Sequence, residues 1–103
     1  MSEQTNHEEL LTAEQEANLE KAANMIKSIA NPIRLGIVWL LKDGKEMSVS
    51  ELHKGMGLDQ GMVSHYIARM KAQGILNCRK EGKKNLYYIE HKKILNVFKC
   101  MKI

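Results

Sequence analysis

SVSELHKGMGLDQGMVSHYIARMKAQG, residues 48–74, is the stretch on which the fold turns. Ser48-Val-Ser-Glu51 has capping-box spacing, in which a Ser hydroxyl and a Glu carboxylate three residues on each satisfy a free N–H at a helix start. The short helix opened there runs through Glu51, Leu52 and Met56, and Gly55 and Gly57 are expected to close it. After a tight Gly-Leu-Asp turn, Asp59 caps a longer helix from Gln60 to about Gln73, which Gly74 stops. Short helix, turn and longer helix make the helix-turn-helix plan.

Helical periodicity gathers Val63, Tyr66, Ile67 and Met70 into one arc of the longer helix, which must be its buried side. The opposite arc holds Gly61, Ser64, His65, Ala68, Arg69 and Ala72, with Gln60 at the N-terminal end. Small residues there let a backbone approach closely, and the hydrogen-bonding side chains between them suit base edges deep in a major groove. Gln60, Gly61, Ser64 and His65 are the expected base-reading end, and Arg69 reaches phosphate or guanine.

Downstream, Ile75 to Lys80 and Asn85 to Ile89 read as two short strands joined by Glu81-Gly-Lys-Lys84. Arg79, Lys80, Lys83 and Lys84 crowd the tip, so a wing over 79–85 is expected to lie on the sugar-phosphate backbone or in the minor groove. A last helix from about His91 puts Ile94, Val97, Phe98 and Met101 on one stripe. Upstream, Asn31-Pro32 starts a helix that ends at Asp43-Gly44, its IRLGIVWLL apolar on most sides as befits a central position. Before it, Thr12 opens a helix with Leu19, Ala22, Ala23, Ile26 and Ile29 on one face. The expected fold is mainly α with a small β-hairpin, a winged helix-turn-helix in the order α-α-α-α-β-β-α. Residues 1–11 form a mobile acidic arm and 12–103 one DNA-binding domain.

Charge follows the same division. Residues 1–20 hold six Glu and no Lys or Arg, whereas residues 21–103 hold all 16 basic residues against six acids, a net +10 that attracts a polyanion. A chain of 103 residues has room for a single core. It contains no apolar run long enough to span a bilayer and no secretory leader pattern, so a cytoplasmic protein is expected. Cys78 and Cys100 are too few for a disulfide framework or a structural zinc module. No nucleophile, base and orienting group occur together and there is no phosphate loop, which speaks against an enzyme and calls for no cofactor.

From about Ala22 to the end the chain resembles the ArsR/SmtB repressors, in ANPIRLGIVWLL, in MSVSELHKGMGLDQGMVSHYIARMKAQGIL and, more loosely, in the wing REGKKNLYYI with Arg79-Lys80-Glu81-Gly82 and Tyr87. The resemblance implies a homodimer whose interface comes from the first and last helices, here Leu19, Ala23, Ile26, Ile94, Val97, Phe98 and Met101, and two-fold symmetry then implies a palindromic operator. It implies a transcriptional repressor bound to double-stranded DNA and released by a small inducer.

Members that sense metals use either two Cys at the start of the third helix or carboxylate and His ligands along the last. Ser48 and Ser50 stand at the first position, where a neutral hydroxyl is a poor ligand for soft metals. At the second, no His follows Glu90 and His91, so no metal site is expected. Some relatives resemble thiol sensors that pair a Cys on the last helix with one elsewhere, so the alternative signal is Cys100, flanked by Lys99 and Lys102 that favour a thiolate; Cys78, the other candidate redox thiol, sits on a wing strand and not where those sensors keep their second one. The alternative function is a winged-helix module that binds proteins without reading DNA.

Overall fold

A computed structural model describes residues 9–101; residues 1–8 of the expected acidic arm and the last two residues lie outside the described part. Thr12 begins α1 (Ala13–Ile29) with the expected capping box, its Oγ1 accepting from the Gln15 N–H at 3.0 Å while Gln15 Oε1 accepts from the Thr12 N–H at 2.9 Å. Asn31 caps α2 (Pro32–Leu41) by accepting from the Ile33 and Arg34 N–H groups, with Pro32 in the first turn. Ser48 and Glu51 form the reciprocal box of α3 (Val49–Met56), at 3.1 and 2.9 Å. Asp59 caps α4 (Gln60–Ala72) through a 3.0 Å bond from the Met62 N–H.

Gly55 does not close α3, as the sequence suggested. It lies in the last turn, where an added Cβ would make ordinary contact with Leu40 Cδ1 at 3.7 Å. Closure falls to Gly57, whose φ of 64° is the left-handed conformation that costs a residue with a Cβ about 1 to 2 kcal/mol. The Gly57 N–H donates to Lys54 O and the Leu58 N–H to His53 O, a Schellman pattern that turns the chain toward α4. The His53 ring reinforces the turn, with Nδ1 3.0 Å from Leu58 O.

The hairpin is tighter than expected. β1 (Leu76–Glu81) and β2 (Lys84–Ile89) pair antiparallel from Leu76↔Ile89 to Glu81↔Lys84, leaving only Gly82-Lys83 as the turn. Gly82 has φ 64° and Lys83 no positive φ, the backbone signature of a II′ hairpin with Gly at its first central position. Glu81 and Lys84 thus belong to the ladder instead of the loop. Ile75, expected in the strand, instead accepts the N–H groups of Glu90 and His91 on its carbonyl and ties the two ends of the wing together. Met47 adds an isolated bridge to Tyr87, anchoring β2 just ahead of α3.

The last helix is also shorter than its stripe suggested. His91 provides no side-chain cap, so the chain enters through a 3-10 turn over Lys92–Leu95 before α5 (Asn96–Met101). The core is one cluster in which Ile37, Val38 and Leu41 of α2, Leu52 of α3 and Val63, Ile67 and Met70 of α4 meet, closed by Leu76 and Ile89 of the wing. Ile94 and Phe98 retain 3% and 8% of their surface and belong to this core, Phe98 meeting Trp39 edge to face at 5.2 Å. Both were expected at a dimer face; within the protomer they already pack in the core and keep little surface to offer a partner. α1 contrasts with the other long helices. Of its 17 residues only Ser28 and Ile29 are buried, and the described residues span 61 × 26 × 24 Å.

Candidate nucleic-acid interface

α4 is oriented by its buried side. Val63, Ile67 and Met70 point into the core and Tyr66 is half-buried, with the Arg34 guanidinium carbon 5.4 Å from its ring centroid. The other side follows by helical geometry: Gln60, Gly61, Ser64, His65, Ala68, Arg69 and Ala72 are all exposed. Gly61 sits where a Cβ would come within 3.1 Å of the capping Asp59 carboxylate, so the start of the exposed face is narrow at this point. Gln60, Gly61, Ser64 and His65 share the first half of α4. Arg69 lies toward its C-terminal end and borders a cleft shared with α1 and α2.

The wing residues Arg79, Lys80, Lys83 and Lys84 are exposed as well, but they are not equivalent. Arg79 is held by two carboxylates, 2.7 Å from Glu46 and 2.8 Å from Glu81, and these bonds, Glu46 first, raise its already high pKa. Its guanidinium fixes the wing to the segment ahead of α3. Lys84 lies with Ser50, Lys54 and Asn85 around a hollow of about 460 Å³ at the start of α3. Lys54 escaped sequence reasoning because nothing along the chain relates α3 to the hairpin; the Met47↔Tyr87 bridge does so in space. Glu51 stands in the same hollow. Its carboxyl is held below the ordinary range by the Ser48 backbone N–H first, then by the Ser48 hydroxyl, with a smaller contribution from Lys84.

The expected dimer residues divide. Leu19, Ala23, Ile26 and Met101 are exposed, the three large ones at 55%, 59% and 66%, and Val97 is half-buried. Between α1 and α5 runs a groove of about 460 Å³, floored by Ala22, Met25, Ile26 and Val97 and bordered by Cys100. Both cysteines are free, Cys78 half-buried in β1 and Cys100 exposed in α5. Among the described residues, no three His, Cys, Asp or Glu side chains come together as a metal site, and no helix is long and apolar enough to cross a membrane.

Residues 31–77, from the cap of α2 to the start of β1, match the family described as bacterial regulatory protein, arsR family. An uncharacterized HTH-type transcriptional regulator of Methanocaldococcus jannaschii is 35% identical over 82 residues, covering 80% of this chain and 92% of that protein. This chain belongs to the ArsR family. Its winged helix-turn-helix is shared by solved structures of other regulators. A predicted DNA-binding transcriptional regulator from E. coli superimposes with a TM-score of 0.81 at 29% identity, over 91% of this chain and 97% of that one. The domain Mb0332 from Mycobacterium bovis, described as a homodimeric winged helix-turn-helix DNA-binding domain, gives 0.72 at 26% identity over 90% and 85%. The ArsR family and these relatives are transcriptional regulators and not enzymes.

Proposed function

We propose that this ArsR-family chain is a sequence-specific DNA-binding repressor that acts in the cytoplasm as a homodimer on a palindromic operator. The observation that carries the reading is the exposed face of α4, where Gly61, Ala68 and Ala72 alternate with Gln60, Ser64, His65 and Arg69. A face of this composition enters a major groove closely and presents donors and acceptors to base edges. Lys80, Lys83 and Lys84 of the wing lie on the backbone or minor groove, joined by Lys54 from the hollow beside α3. Arg79 acts by holding the wing, through Glu46 and Glu81.

Dimerisation is supported by α1. A helix in a protein draws most of its stability from packing an apolar face, and α1 leaves Leu19 and Ile26 exposed, Ile26 on the groove that α5 borders. A second copy covers Leu19, Ala23, Ile26, Val97 and Met101, and places two copies of α4 about one turn of DNA apart, which makes the operator palindromic. Occupancy of a promoter by such a dimer excludes polymerase, hence repression.

The test is a fluorescence-anisotropy titration of the full chain on palindrome-rich promoter fragments at several salt concentrations. Saturable, salt-sensitive binding that survives excess competitor DNA is expected. Binding no tighter to any fragment than to random DNA would replace this reading with that of a protein-interaction module.

A further inference from the structure

The cleft that Arg69 borders, of about 820 Å³, lies between α1, α2 and the C-terminal half of α4. Four permanent cations border it, Lys21 and Lys27 from α1, Arg34 from α2 and Arg69 from α4, with the His91 imidazole beside them and, among the described residues, no Asp or Glu in the lining. The volume falls in the range of small-molecule sites. Cations from three separate helices gathered without a counter-charge repel one another, and a bound anion relieves that repulsion.

Arg34 makes this more than a basic patch. Its Nη1 donates to Ser28 O at 3.2 Å and its guanidinium lies over the Tyr66 ring, so the side chain is held in place. Yet its Nε is buried with no hydrogen-bond partner among the described residues. A buried guanidinium N–H left unpaired is costly, and a shift of the side chain toward an anion in the cleft that Arg34 lines would give it a charged acceptor.

We infer that this cleft binds a small polyanion carrying phosphate or carboxylate groups, clamped by Arg34, Lys21, Lys27 and Arg69, and that its binding loosens the hold on DNA. The coupling, which rests on the function proposed above, runs through Arg69. That side chain is on the exposed face of α4 and also on the rim of the cleft, so an anion and the DNA compete for it. Reciprocity then requires DNA to weaken the anion by the same factor. Lys21, Met25 and His91 also border the α1–α5 groove, which places the ligand at the margin of the proposed dimer face.

Calorimetric titration of the full chain with inorganic pyrophosphate and, separately, with citrate, against sodium chloride of matched ionic strength, tests the site without DNA. Saturable binding of at least one is expected, about tenfold weaker in Lys21→Gln with Lys27→Gln, whose side chains are exposed and leave the core intact. Arg34→Lys keeps the charge and removes the Nε donor; it too weakens binding if the site is built, and leaves it unchanged if the attraction is diffuse. Absence of saturable binding for both anions, or binding that neither variant alters, overturns the site. Anisotropy on a bound promoter fragment tests the coupling: the anion lowers DNA affinity severalfold beyond the salt control in the natural chain and not in the double lysine variant. Anion binding that leaves DNA affinity unchanged overturns the coupling. Failure of the function itself is distinct from both, since it appears as absence of specific DNA binding before any anion is added.

Discussion

Ser48 and Glu51 hold the first turn of α3 by two reciprocal bonds, and α3 in turn supports the helix-turn-helix. Ser48→Ala removes one of them and leaves an N–H at a partly buried helix start, so a loss of about 1 kcal/mol in urea unfolding is expected. The Glu51 carboxyl has its pKa depressed in the folded chain by the Ser48 N–H. Its contribution is therefore complete above the unfolded value of about 4.3 and is lost as pH falls through the lower folded value. Acid titration of stability should thus decline less steeply in Glu51→Gln than in the natural chain over that range. An identical acid limb in the two proteins would mean that Glu51 gives the fold no pH dependence. At this scale the sequence was informative: both capping boxes and the Asn31 and Asp59 caps follow from residue type and spacing, because a cap joins neighbours in the chain. The His53 contact to Leu58 O was not legible, since His53 reads as an ordinary surface imidazole until the turn folds back on it.

Among the elements, α4 and the wing divide the work of DNA binding. Ser64→Ala with His65→Ala removes hydrogen-bonding groups from the exposed face and none from the core. Discrimination between operator and random DNA should fall by about 1 to 3 kcal/mol for each base edge that is no longer read, with the melting temperature unchanged. A lower melting temperature would mean that this face supports the fold instead of reading DNA. Lys83→Ala with Lys84→Ala should weaken binding to all sequences alike and flatten the slope of log affinity against log salt by about 1 for each phosphate that is no longer neutralised. Arg79→Ala should change that slope less than the lysine pair, since its charge is already met by Glu46 and Glu81. A larger change would restore Arg79 to the DNA. The helices were legible from periodicity, but the wing's register was not. Glu81 and Lys84 look like loop residues by composition, and only their pairing, fixed by the two-residue turn at Gly82-Lys83, draws them into the ladder.

In the whole molecule the unfinished surface is α1. Leu19→Glu with Ile26→Glu places charges where a second copy would bury apolar area, and both side chains stand clear of the protomer's core. Sedimentation equilibrium should show a monomer, the far-ultraviolet circular dichroism of α2 to α4 should persist, and DNA affinity should drop by about a hundredfold with the loss of two-site binding. A dimer that survives both substitutions would place the interface elsewhere.

By itself the sequence determined the helix-turn-helix, the caps that bound each of the first four helices, the exposed face of α4 and the basic wing. All of these depend on residues within a few positions of one another, where helical period and capping chemistry act directly. Only the tertiary structure decided how the final stripe is divided. Ile94 and Phe98 turn into the core, Phe98 with its ring edge to face against Trp39, leaving Val97 half-buried and Met101 exposed. It alone brought Lys21, Lys27, Arg34 and Arg69 around one cleft, from three helices up to 48 positions apart in the chain. Periodicity tells which side of a helix is apolar; which neighbour that side meets, and which charges are thereby gathered, depends on packing between distant segments, for which no local signal exists.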